Sequence, residues 1–190
     1  MATSDVAIAN LALQKLGSPK RLESLTQDHP NARSMNACYA SIRDGELRRY
    51  DWGFAISRAS IAADASLTKW GKWNRYALPN DYLRLIRDDE SGQNVDWRIE
   101  GTFIVTADKA PLNIRYMARI TDPNTFDALF IESLGAKLAY QTCKEITGST
   151  TQQSVCKQDY DWAVAEAKRC GSIEKPAQEF AEDDWINVRR

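Results

Sequence analysis

The sequence predicts an α+β protein that is mainly α: a four-helix bundle with an inserted small antiparallel β-rich subdomain and an extended C-terminal arm. Three observations lead to that class. Apolar residues recur at three- and four-residue steps near the N-terminus and again from about residue 122 to 170. Between those stretches the helical period disappears, and β-rich segments alternate with turn formers. After Gly171 comes an acidic run carrying isolated aromatics, with Pro176 inside it. The predicted boundaries are 1–52 and 120–172 for the helical bundle, 53–119 for the β-rich insertion and 173–190 for the arm. A chain of 190 residues accommodates one substantial core with such an insertion, but not two large ones.

Each element has its own signal. Ser4 is a good N-cap, Ile8, Leu11, Ala12 and Leu16 share a face, and Gly17 suits a left-handed stop, so the first helix is predicted at about 5–16. After the loop "SPKRLESLTQDHP", Ala32, Met35, Tyr39 and Ile42 mark a second helix from about Asn31 to Tyr50. Its other side carries Arg33, Arg43, Arg48 and Arg49, which read as a solvated face with local salt bridges. In "DWRIEGTFIVT" and "LNIRYMAR" the residues favour strands, with Gly101 and "ADKAP" as breaks. Ile114, Tyr116 and Ala118 alternate with Arg115 and Met117, as a strand with one buried face requires. These segments predict one small antiparallel sheet.

Asp122 is placed to cap a third helix, Pro123 fits a first turn and Gly148 ends it. Phe126, Phe130, Leu134 and Leu138 line one side of it, and Gly135 leaves room for another backbone. A last helix, about 150–170, buries Cys156, Tyr160, Ala163, Ala167 and Cys170, with Gly171 after it.

Composition narrows the function. With 25 basic and 26 acidic residues the net charge is −1, so total charge supplies no strong nonspecific pull on nucleic acid. The N-terminus "MATSDVAIANLALQKLG" reads as mature protein, because it has no early basic segment and Asp5, Asn10 and Gln14 interrupt its apolar residues. No run approaches the roughly 18 apolar residues of a membrane span, which predicts a soluble protein.

Motifs for chemistry are sparse. Cys38, Cys143, Cys156 and Cys170 form no CxxC pair, so they read as buried free thiols and no metal is expected. The single histidine, His29, lies beside Pro30 in a predicted loop without a nucleophile or an orienting partner. Two carboxylate pairs are candidates for a glycosidase: Asp96 with Glu100 beside Trp97, and Glu132 with Glu145 on the third helix. No GxSxG, phosphate-cradling glycine loop or HExxH is present. Trp52 with Phe54, and Trp70 with Trp73, have the aromatic surface for stacking a base or sugar, but fit a core or a subunit interface better. Chemistry alone therefore predicts no enzyme, no cofactor and no catalytic residue.

The order of the segments is more informative. "IANLALQKLGSPKRLESL", Trp52 and Phe54 after the second helix, Leu78, Pro79, Asp81 and Tyr82 in "LPNDY", "WRIEGTFIVT", and Asp122, Pro123 and Phe126 in "ARITDPNTFDALF" stand in a sequence that resembles the tail tubular protein A family of bacteriophages. The resemblance spans about residues 5–172 and rests on motif order. It implies a head-to-tail adaptor of a short-tailed phage: a structural virion protein, assembled in the bacterial host cytoplasm and located at the head–tail junction. Twelve copies of this homo-oligomer would form a ring beneath the portal protein. The tail nozzle, a tail tubular protein B-like protein, would lie below, with DNA passing through the central channel without sequence-specific binding. Two alternatives remain: a tail-associated glycoside hydrolase acting on envelope polysaccharide, and a head-completion protein of another fold.

The tail "FAEDDWINVRR" carries more apolar surface than a free end usually exposes. Its expected role is partner binding, with Trp185 as anchor, Phe180, Ile186 and Val188 adding contact, and Arg189 and Arg190 pairing with acids on the portal or a neighbouring subunit.

Overall fold

In the computed structural model the described residues are 3–64, 73–86 and 97–173. Among them the fold is mixed α+β, with four α-helices and two three-stranded antiparallel sheets. Helices α1 (Asp5–Lys15) and α2 (Pro30–Arg49) precede six short strands: β1 (Ile56–Ile61), β2 (Asn74–Ala77), β3 (Tyr82–Leu85), β4 (Trp97–Glu100), β5 (Phe103–Thr106) and β6 (Leu112–Ala118). Helices α3 (Ala128–Thr147) and α4 (Thr150–Ile173) follow.

The first helix begins where expected, with Ser4 Oγ accepting from the Ala7 amide at 3.2 Å, and Gly17 after it at φ +70°. The connection to α2 is clamped by Asn10, whose side chain donates to the Leu22 carbonyl at 2.8 Å and accepts from the Leu22 amide at 2.7 Å. His29 closes that loop as the cap of α2, its Nδ1 accepting from the Asn31 amide at 3.2 Å, while Pro30 takes the first helical position. The histidine expected to be idle in a loop thus starts a helix.

Two helix boundaries depart from expectation. Asp122 accepts from the Asn124 amide, but caps only a 3₁₀ turn at Pro123–Thr125. Helix α3 starts at Ala128 because Asp127 Oδ1 takes the Leu129 and Phe130 amides at 2.8 and 3.3 Å. Phe126 therefore has an extended backbone, although its ring is still buried. At the other end, α4 runs through Gly171 to Ile173, three residues into the stretch assigned to a stop and an arm. Gly171 keeps a negative φ, and a mid-helix glycine weakens a helix by about 1 kcal/mol without terminating it.

The expected single sheet is two. One has the order β1-β6-β3 and the other β2-β5-β4. The pairing Ile56↔Met117 through Ile61↔Leu112 makes β6 the centre of the first sheet. The alternation expected on β6 is present: Ile114, Tyr116 and Ala118 join Tyr76 and Ile104 in a core shared by the two sheets. The single buried face that was expected is corrected at Met117, which points the other way and is fully buried with Leu83 in the helical core. One strand thereby serves both cores.

Helix α3 packs against each of the other three helices. Gly135 permits the α1 contact: a Cβ there would lie 2.8 Å from Leu11 Cδ2, so the close neighbour is a side chain and not the expected backbone. Arginines tie the sheets to α2. Arg48 donates to the Leu83 carbonyl, Arg84 Nε donates to the Arg48 carbonyl at 2.9 Å and pairs with Asp51, and Asp44 bridges Arg43 and Arg119, each at 2.8 Å. Arg33, Arg48 and Arg49 are exposed as expected, Arg33 pairing with Asp28 at 3.1 Å and Arg49 with Glu46 one turn before it at 3.6 Å. Arg43 departs from that reading, being buried, and Arg48 and Arg49 also tie α2 to its neighbours through Leu83 and Tyr160.

Candidate partner surfaces and a polar cleft

The arm residues Phe180, Trp185, Ile186, Val188, Arg189 and Arg190, together with Trp70 and Asp96, lie outside the described residues. The other candidates can be followed. Trp52 and Phe54 pack against Phe130, with ring centroids at 4.9 and 5.1 Å, so both are used in building the core, Trp52 as a buried member and Phe54 as a partly buried one. Trp73 carries the Arg98 guanidinium 5.3 Å from its ring centroid.

Neither glycosidase pair gains support. Glu132 and Glu145 are 13 residues apart on one helix, which separates them by about 20 Å along the axis. Paired glycosidase carboxylates stand about 5–9.5 Å apart. Glu132 instead pairs with Lys15 at 3.6 Å, and Glu145 accepts from Ser34 Oγ. Glu100 lies on β4, all four of whose residues are exposed, so it lacks the apolar surroundings that keep a carboxyl protonated. The four thiols are free, with Cys143 and Cys156 buried and Cys38 and Cys170 only half-buried.

Among the described residues, two exposed apolar surfaces occur on different elements. Val155, Trp162 and Ile173 lie seven and eleven residues apart on α4, close to whole numbers of turns, and so form one line along the helix. Trp162 is 65% and Ile173 72% exposed. The opposite face of α4, with Cys156, Tyr160, Ala163, Val164 and Ala167, is buried. The second surface is on β4, where Trp97 and Ile99 take alternate positions at the edge of its sheet and remain exposed. The α4 line was legible in principle, since these three residues sit among polar neighbours on the side away from the core.

Between α2 and α3 opens a polar cleft of about 490 Å³, walled by Gly45, Arg48 and Arg49 from α2 and by Lys137 and Gln141 from α3. Its floor is Glu46, 3% exposed. Tyr160 of α4 presents its hydroxyl to both Glu46 oxygens, at 2.9 and 3.0 Å, and accepts from Arg49 at 2.5 Å. Lys137 Nζ stands 4.0 Å from Glu46 and 4.6 Å from the Tyr160 ring centroid. The signal for this group is an acid that continues the apolar steps Ala32, Met35, Tyr39 and Ile42 to position 46. A buried charge on such a face needs partners from other helices, and α3 and α4 supply them.

Burial is the main reason that the Tyr160 hydroxyl is held well above its ordinary range, with the Glu46 carboxylate adding to it. Burial likewise raises Tyr39, Tyr76, Tyr116 and Cys38, and pushes Cys156 up to about 11, helped by Cys143. The folded chain therefore keeps protons that the unfolded chain releases, from pH 9.0 upward for thiols and 10.0 for phenols. With more protons bound in the folded state, stability falls as pH rises. Urea midpoints are expected to be flat up to about pH 8 and to drop steadily through pH 9–11. Tyr160→Phe should make that drop shallower, and an unchanged midpoint at pH 10.5 would contradict the assignment.

The chain matches no protein-family model and none of the curated proteins.

Proposed function

We propose that this chain is a structural virion protein, the head-to-tail adaptor of a short-tailed bacteriophage, similar to the tail tubular protein A family and without enzymatic activity. In this proposal the four helices form a bundle around α3, and the residues beyond it form an arm. Twelve copies close a ring between the portal and the tail nozzle, at the head–tail junction of the virion, around a DNA channel. The observation that carries the reading is the pair of unlike apolar surfaces. A closed cyclic ring is heterologous, so each subunit needs two different adhesive patches, one for each neighbour. The α4 line of Val155, Trp162 and Ile173 and the β4 edge of Trp97 and Ile99 have that character. A net charge of −1 supports it further, because dense phosphate pairing would hinder the passage of DNA.

The test is the mass of the purified chain, alone and mixed with the portal ring encoded in the same genome. A complex containing twelve copies per portal ring is expected, and Trp162→Glu should prevent the ring from closing while leaving the fold intact. Removing residues 174–190, which begin directly after α4, should abolish portal or ring binding while the helical fold stays intact. A chain that stays monomeric beside the portal and releases reducing sugar from cell-envelope material would overturn the proposal in favour of a hydrolase.

A further inference from the structure

The cleft over Glu46 sets three cations, Arg48, Arg49 and Lys137, against one carboxylate. That carboxylate is already engaged by Tyr160 and lies at the floor, whereas Arg48 and Arg49 are exposed at the rim. An occupant with several negative charges fits this balance. Such a segment stands in the chain itself: Glu179, Glu182, Asp183 and Asp184 fall within nine residues that hold no base.

We propose that the acidic segment 179–184 of the chain docks in this cleft of its own subunit, forming a latch between the end of the chain and the α2–α3 wall. The reach is sufficient. Tyr160 marks the cleft on α4, and Ile173 ends that helix 13 residues on, about 20 Å away along the axis. From Ile173 the extended chain spans about 20 Å to Glu179 and about 36 Å to Asp184. Along the way Lys168 lies 4.0 Å from the Tyr50 ring centroid, beside Arg49, and adds a further cation on the same side. The latch concerns the isolated subunit and stands whether or not the chain is an adaptor. If it is one, the latch withholds the arm until a partner competes for it.

The experiment uses the full-length chain and a fluorescently labelled peptide of residues 174–190. The probe is titrated into wild type and into the variant with a neutralised tail, E179Q/E182Q/D183N/D184N. In wild type the tethered segment competes at a high effective concentration, so the peptide should bind the neutralised-tail chain about tenfold more tightly. Binding should weaken as salt is raised to about 0.5 M. In the neutralised-tail background, Gln141→Lys should tighten binding and Gln141→Glu should loosen it; Gln141 is exposed on the cleft wall, so neither change removes a member of the Glu46 network. Equal affinity for the two tails, no binding to either, or indifference to Gln141 would each overturn the proposal. So would sedimentation in which wild type associates with rising concentration and the neutralised-tail chain does not, because the segment would then occupy a second copy.

Discussion

Phe130→Ala is expected to lower the unfolding free energy by about 3–5 kcal/mol, a large share of the 5–15 kcal/mol typical of a folded domain. The ring is fully buried at the meeting point of three others, with centroids at 4.9 Å to Trp52, 5.1 Å to Phe54 and 5.0 Å to Phe126. Trp52 and Phe54 belong to the link from α2 to β1, and Phe126 precedes α3, so the four rings hold together the place where the chain leaves the helices and the place where it returns. Each aromatic contact adds about 0.5–1.5 kcal/mol beyond area burial, and truncation forfeits three of them while leaving a cavity. Trp162→Ala, a loss of similar apolar area from an exposed site, should stay within about 0.5 kcal/mol. Urea denaturation of both variants checks the contrast, and a loss below about 1 kcal/mol for Phe130→Ala would mean that the site collapses around the missing ring.

Glu46→Ala is expected to cost about 3 kcal/mol, at the lower end of what removing one partner of a buried ion pair costs. Three groups lean on this carboxylate, but not equally. Arg49 has about half its side chain exposed and recovers water, whereas Lys137 is 17% exposed and Tyr160 is buried. Most of the loss therefore comes from the stranded ammonium and hydroxyl. The Trp52 indole is unaffected, because it donates to the Glu46 backbone carbonyl at 2.8 Å, which the substitution keeps. Tyr160→Phe alone should cost about 1 kcal/mol, and the double variant less than the sum, since the two side chains share one network. Additive losses would show that the network is not the source of the stability.

Both groups show what a sequence reveals and what it withholds. The helical periods at the two ends were legible because each reflects burial on one face of a single element, whereas on β6 the alternation revealed the face of Ile114, Tyr116 and Ala118 but not the burial of Met117 on the other. The start of α3 was misread because Asp122 and Asp127 are both good caps, and the choice between them depends on where Phe126 finds its core. The ending at Gly171 was misread for a related reason: glycine permits a left-handed stop without requiring one. Two sheets in place of one, the burial of Arg43, and the ties that Arg48 and Arg49 make while exposed depend on pairing between distant segments, which no local pattern encodes. The cleft was visible only as an acid out of place at position 46, with Lys137 and Tyr160 about 90 and 114 residues away.

The placement of α3 also bears on how the chain is made. Helices α1 and α2 bury Ile8, Ala12, Leu13, Met35 and Tyr39 in a core that Phe130, Leu134 and Leu138 of α3 complete. Strand β1 likewise waits for β6, since Ile56 pairs with Met117. The first two helices therefore emerge from the ribosome about eighty residues or more before their principal helical partner begins, and at about 5–20 residues per second this leaves them exposed for several seconds. Helix α4, by contrast, meets α3 across a two-residue turn as soon as it is synthesised. Nascent chains halted before residue 128 should bind holdase chaperones and be cut readily by protease, and protection should arrive abruptly once α3 clears the exit tunnel.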